Sequence, residues 1–236
     1  MKIFKISAYL FLFTLLGFTS CKKKGCMDED AVNFNSSAKK DDGSCSFKPL
    51  ITIVGSNPAS VSVGVVYTDA GATAFVKNEG SVDVTSDLTQ VNTSTVGSFV
   101  VTYSASNTHG TTTATRLVNV VLGQSSYIGN FDASNECNAL QFPHINEPQI
   151  QAGANANQVL INNAFTAIGG TIVMNINGAN VTVPPTTIPI VALGVEIGNL
   201  NFSGTGTMNS TGNQMVVSYD YDGTAGQGIC IVTYVK

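Results

Sequence analysis

Gly97-Ser98-Phe99-Val100-Val101-Thr102-Tyr103-Ser104 decides the fold class of this 236-residue chain. Successive side chains of an extended strand point to opposite faces. Phe99, Val101 and Tyr103 therefore share one face, and Val100, Thr102 and Ser104 the other. A turn signal at Asn107-Thr108-His109-Gly110 separates this strand from Val118, Val120 and Leu122, which keep the same period of two. Upstream, Val61, Val63 and Val65 alternate with Ser60, Ser62 and Gly64, and further turn signals stand at Gly55-Ser56-Asn57-Pro58 and Thr95-Val96-Gly97. Valine and threonine favour pleated strands, glycine and asparagine favour turns, and no helical apolar stripe follows Phe18. The chain is expected to be all-β.

The strands between Pro49 and Leu122 have the number and spacing of a small immunoglobulin-like sandwich, assigned to residues 49–122. Gly123-Gln124-Ser125-Ser126 reads as a short linker, and residues 127–236 as a second β domain. There Ile172, Met174 and Ile176 alternate, Asn177-Gly178 suits a type I′ hairpin turn, and Val181-Thr182-Val183 returns. Pro184-Pro185 is expected to carry the chain out of the sheet. A meander of Asn201–Met208, Asn213–Tyr221 and Ile229–Val235 closes the sequence, as a small β-barrel or a two-sheet sandwich.

Residues 1–20 have a basic start (Lys2, Lys5), an apolar core from Ala8 to Phe18, and small residues ahead of Cys21. That is a secretory signal; the alternative is an uncleaved anchor, for which the apolar run is short of the roughly 18–20 residues a span needs. Phe18-Thr19-Ser20-Cys21 resembles a bacterial lipobox, which implies that Cys21 is acylated and becomes the mature N-terminus. Lys22 follows, without the aspartate associated with inner-membrane retention, so an outer-membrane lipoprotein of the cell envelope is expected. Lys22-Lys23-Lys24 would then lie against anionic head groups.

Five cysteines are an odd number for an exported chain. Lipidating Cys21 leaves four. Three pairings are formally possible; Cys26 with Cys45 and Cys137 with Cys230 are expected. By loop entropy alone the short loop is worth about 3 kcal/mol and the long one about 4.5 kcal/mol. The first bridge closes an acidic loop within a tether of residues 21–48.

Tyr67-Thr68-Asp69-Ala70-Gly71-Ala72-Thr73-Ala74, Asp83-Val84-Thr85, Val96–Tyr103 and Ala114-Thr115-Arg116-Leu117-Val118-Asn119-Val120 follow in order. The series resembles the bacterial immunoglobulin-like family found in pesticidal crystal proteins and in envelope lipoproteins of Bacteroidota. The resemblance implies a spacer or binding module and supplies no catalytic residue. Gly25-Cys26-Met27-Asp28 through Asp41-Asp42-Gly43-Ser44-Cys45 is similar to a cysteine-bounded acidic motif of exported proteins from the same bacteria.

Candidate chemistry is sparse. Asp28, Asp30, Asp41 and Asp42, with Glu29, Asn33 and Asn35 nearby, offer oxygen donors for calcium in one loop, against the plainer reading of a solvated polar loop. No other cofactor is expected. Asp220 and Asp222 stand two apart on a strand and share a face; with Glu136 and Glu147 they are the carboxylates a glycoside-active enzyme would need. His109 and His144 fall in different domains without zinc spacing, and no nucleophile elbow or phosphate-binding loop is present. The chain is read as no enzyme. From Pro49 onward three basic residues stand against ten acidic ones, which argues against nucleic acid. The expected partners are the membrane, through the lipid, and a glycan or envelope protein. With Pro143 and Pro148 and little periodicity, Phe142–Gln158 is the expected functional loop.

Overall fold

The computed structural model describes residues 22–137, 144–166, 168–224 and 226–236. The leader and Cys21 lie outside these residues. The described residues form two compact units: those up to Thr52 with Thr73–Thr85 and Ser104–Thr113, and those of Ile53–Ala72 with Ser86–Tyr103 and Ala114–Lys236.

Seven strands build the sandwich: β1 (Leu50–Ile53), β2 (Ala59–Ser62), β3 (Ala72–Val76), β4 (Gly80–Val82), β5 (Val84–Asp87), β6 (Gly97–Asn107) and β7 (Gly110–Val121). They form a three-stranded sheet, β1-β3-β4, and a four-stranded one, β2-β7-β6-β5. Val101, Tyr103, Val118 and Val120 are buried, as their alternation requires. Val65 is not: β2 ends at Ser62, and the chain turns at Gly64, leaving Val65 exposed.

The polar residues of the family-like motif meet in the second unit. Arg116, at an inward position of β7, is paired through Nη1 with Asp69 Oδ1 at 2.6 Å. The Tyr103 hydroxyl donates to the same carboxylate at 2.7 and 2.9 Å. Arg116 Nη2 donates to the carbonyls of Val54 and Gly71, the latter at 3.1 Å. A charge this deeply buried persists only when paired and hydrogen-bonded, and these partners supply both.

In the first unit, the segment from Cys26 to Phe47 is folded. Cys26, Ala31 and Phe47 pack with Val76 of β3 in a small apolar core, joined by Cys45 and Val82.

The C-terminal strands are β8 (Gly129–Asn130), β9 (Asp132–Cys137), β10 (Gln149–Ala152), β11 (Gln158–Phe165), β12 (Gly169–Asn177), β13 (Asn180–Ala192), β14 (Val195–Met208), β15 (Gln214–Gly223) and β16 (Gly228–Val235). They form one antiparallel sheet whose two ends are β8 and β9. Those two are successive parts of a single extended segment. Its first part pairs with β10, and Phe131 and Ala133 donate to the carbonyls of Pro148 and Asn146. Its second part pairs with β16, from Val235↔Asp132 to Cys230↔Cys137. The sheet thus curls round on itself into a nearly closed up-and-down barrel, not a sandwich. Its interior holds Ile150, Ile161, Ile172, Met174, Leu200, Met215, Val217 and Tyr219.

Two expectations change here. Pro184-Pro185 does not end the strand: β13 runs on through both, and the register shifts between Val183 and Thr186. A bulge is one of the few places a sheet accepts proline, because the missing N–H is not needed there. The β12–β13 turn is Gly178-Ala179, since Asn177 and Asn180 are themselves paired and Gly178 carries the positive φ. Residues 123–126 are partly ordered. Gln124–Tyr127 forms one helical turn, α1, and the buried Tyr127 donates its hydroxyl to the Gly178 carbonyl at 2.6 Å.

Candidate functional site

The alternation of β15 decides what the barrel shows to solvent. Met215, Val217, Tyr219 and Tyr221 point inward, so Val216, Ser218, Asp220 and Asp222 point outward. Register then brings polar residues of three strands into rungs. Thr187 stands beside Asn201, and Asn201 beside Asp222; Ser203 stands beside Asp220. Thr187 Oγ1 donates to Asn201 Oδ1 at 2.7 Å, and Asn201 Nδ2 donates to Asp222 Oδ1 at 2.7 Å. Each link orients the next, so the ladder presents fixed acceptors and free hydroxyl lone pairs.

These rungs floor an open groove of about 640 Å³ on the outer wall, bounded by Pro185 and Thr186 on one side and by Gln227 and Ile229 on the other. Further along the same wall Asn180, Thr182, Thr205, Thr207 and Ser218 continue the hydroxyl and amide surface. Tyr103, Tyr127, Tyr219, Tyr221 and Tyr234 are buried and Tyr67 is half-buried, so no exposed tyrosine among the described residues offers a stacking platform.

The carboxylates singled out in the sequence do not face one another across a cleft. Asp220 and Asp222 lie side by side on one strand. Glu136 sits on β9 opposite Ile231, and Glu147 belongs to a separate depression with Asn130 and Lys236.

Nor are the four calcium candidates brought together. Asp28 is ion-paired with Lys77, which holds its carboxyl below the usual range. Asp41 Oδ1 accepts the Gly43 amide, and Asp42 Oδ1 the Ser44 amide, at 3.1 Å each. Asn33 is spent on Ser44 and Ser46. Among the described residues no three His, Cys, Asp or Glu side chains converge as a metal site would require. The loop uses its oxygens to build turns.

Cys26 joins Cys45, and Cys137 joins Cys230, the second across paired residues of β9 and β16. The expected loop at Phe142–Gln158 is corrected in its described part: Gln149–Ala152 is the barrel strand β10. His144 is buried, stacked 4.5 Å from the rings of both Phe165 and Tyr219, and burial lowers its pKa to about 3. It is a neutral core residue. His109 instead lies 3.5 Å from Glu79 near the surface.

A feature the sequence reading missed is the far end of the β13–β14 hairpin. Val191, Leu193, Val195 and Ile197 are all exposed there, Leu193 fully, around a Leu193-Gly194 turn. The signal was available in the uncharged, apolar run Ile188–Val195.

Residues 51–120 match the model of a known family, the bacterial surface protein Ig-like domain. The bacterial surface Ig-like domain therefore accounts for the sandwich, with Asp69, Tyr103 and Arg116 in its core. Among solved structures, the chain is similar to the lipoprotein BT2262 from Bacteroides thetaiotaomicron. That similarity is at 14% identity over 80% of this chain and 100% of that one, with a TM-score of 0.27. No curated protein matches the chain.

Proposed function

We propose that this chain is a lipid-anchored envelope protein in which the barrel is a non-enzymatic binding or adhesion module for a hydroxyl-rich ligand, a glycan by its chemistry. The observation that carries the reading is the Thr187–Asn201–Asp222 ladder, with Ser203 and Asp220 in the next rung, along an open groove. Such a face exchanges hydrogen bonds with several hydroxyls at once. Each is worth only about 0.5–1.5 kcal/mol net, so a single site without aromatic stacking binds weakly and gains from multivalent display. The bacterial surface Ig-like domain supports an envelope address, as do the leader and Cys21 in the sequence. Side-by-side carboxylates favour binding over glycoside cleavage, which needs two flanking a bond.

A glycan array probed with residues 22–236 tests this. Binding to a defined glycan class that disappears in an Asn201→Ala, Asp222→Ala double variant is the expected result. Binding that survives the double variant places the ligand elsewhere.

One observation favours a second reading, a subunit of an envelope assembly: the exposed apolar tip at Val191, Leu193, Val195 and Ile197. On that reading Leu193→Ser abolishes recovery of one envelope protein in a pull-down and leaves the array unchanged.

A further inference from the structure

Lys22-Lys23-Lys24 looks like an isolated basic run, but the fold adds to it. Lys24 forms a parallel bridge with Lys40. The Lys39 amide donates to the Lys23 carbonyl at 2.8 Å, and the Gly25 amide donates to the Lys40 carbonyl at 3.2 Å. Two runs some fifteen residues apart are thereby held side by side. All five lysines are exposed, and among the described residues none of them is in an ion pair.

The nearby acids offset only part of this charge. Asp28 is already taken by Lys77. Asp41 and Asp42 stay charged, their carboxylates accepting the backbone amides of Gly43 and Ser44 and Asp42 feeling the charge of Lys24, so five lysines against these two acids leave an excess of three positive charges. Glu29 and Asp30 lie at the opposite side of the Cys26–Cys45 loop in sequence. The patch contrasts with the rest of the chain, where ten acidic residues oppose three basic ones from Pro49 onward.

We infer that Lys22, Lys23, Lys24, Lys39 and Lys40 form one docking patch for the anionic headgroups of a lipid bilayer. Charge complementarity identifies the partner. The acidic remainder of the chain is repelled by the same surface, so attraction is confined to this end. Because pairing begins at Lys23, a single residue separates the folded module from position 21. The inference rests on the reading of the chain as an envelope protein but not on acylation of Cys21. A lysine near an anionic surface is worth about fivefold in partition, so loss of two weakens binding by about 25-fold.

The test uses the protein from residue 21 onward carrying Cys21→Ser, so that no acyl chain contributes, with vesicles of phosphatidylcholine alone or with one-third phosphatidylglycerol. Co-sedimentation with the anionic vesicles only, lost in high salt, is expected. Lys39→Gln with Lys40→Gln should weaken it by about 25-fold, while Lys48→Gln, outside the patch, changes it less than twofold. Equal partition onto neutral vesicles, no partition at all, or an unaffected Lys39/Lys40 double variant with both disulfides intact would each overturn the inference. None of these outcomes bears on lipidation, which membrane fractionation of a Cys21→Ala variant reports separately.

Discussion

His144 and Arg116 show opposite ways of burying a titratable side chain. His144 is buried between two aromatic rings, and its pKa falls to about 3 in the folded state, against about 6.5 when unfolded. The unfolded chain therefore takes up a proton first as pH falls. This residue's contribution is complete above about pH 6.5 and is lost between there and about pH 3, at no more than about 1.4 kcal/mol per pH unit. Urea midpoints at pH 8, 6 and 4.5 should fall more steeply for the native chain than for His144→Phe. Arg116 stays charged and is held by Asp69. Asp69→Ala should cost about 3–5 kcal/mol in urea unfolding, and adding Arg116→Met should recover part of it, because the orphaned charge is what hurts. Arg116 was legible in principle: it precedes Val118 and Val120 at the same spacing and so belongs to the inward face. His144 was not, because the prolines at 143 and 148 and the lack of periodicity mimic a loop.

The barrel strands carry their instructions unevenly. The meander from Asn201 to Val235 could be read almost to its ends, since every strand alternates and every turn is marked. β13 was harder, because Pro184-Pro185 argues for a break when the missing N–H groups fall at a bulge. β14 adds a device of its own. Gly204 and Gly206 occupy inward positions, where a Cβ at 206 would collide with the Val216 carbonyl oxygen and one at 204 would lie 2.7 Å from that of Ser218. The strands approach closely there, as a tightly curled sheet demands. Gly206→Ala should lower stability by about 1–3 kcal/mol. Thr205→Ser, one residue away but outward, should stay within about 0.5 kcal/mol. Chemical denaturation of the two variants in parallel checks the difference. The outer ladder was only half visible: Asp220 and Asp222 were placed on one face, but Thr187 and Asn201 join them through register, which no single strand reveals.

Cys21→Ala should move the protein from the membrane pellet to the soluble fraction of the cell; retention in the pellet would count against acylation. The sequence divided the chain at residues 123–126, a composition cue that reads polar residues as a joint. The fold buries Ser126 and Tyr127 there, because one helical turn lets Tyr127 reach the barrel, and Val63, Val120 and Leu122 share the barrel's apolar core. Barrel closure has a further consequence, in time. The segment Gly129–Cys137 is synthesised ahead of every other strand of the barrel, and its partner β16 after all of them. Until then both neighbours are open edges carrying unpaired amides and carbonyls, and pairing over so long a stretch of sequence is slow. A chain truncated before Gly228 keeps those edges permanently and leaves Cys137 without Cys230. Residues 228–236 thus act as a proof of completeness for the barrel: only a copy that carries them can seal its edges against aggregation and proteolysis.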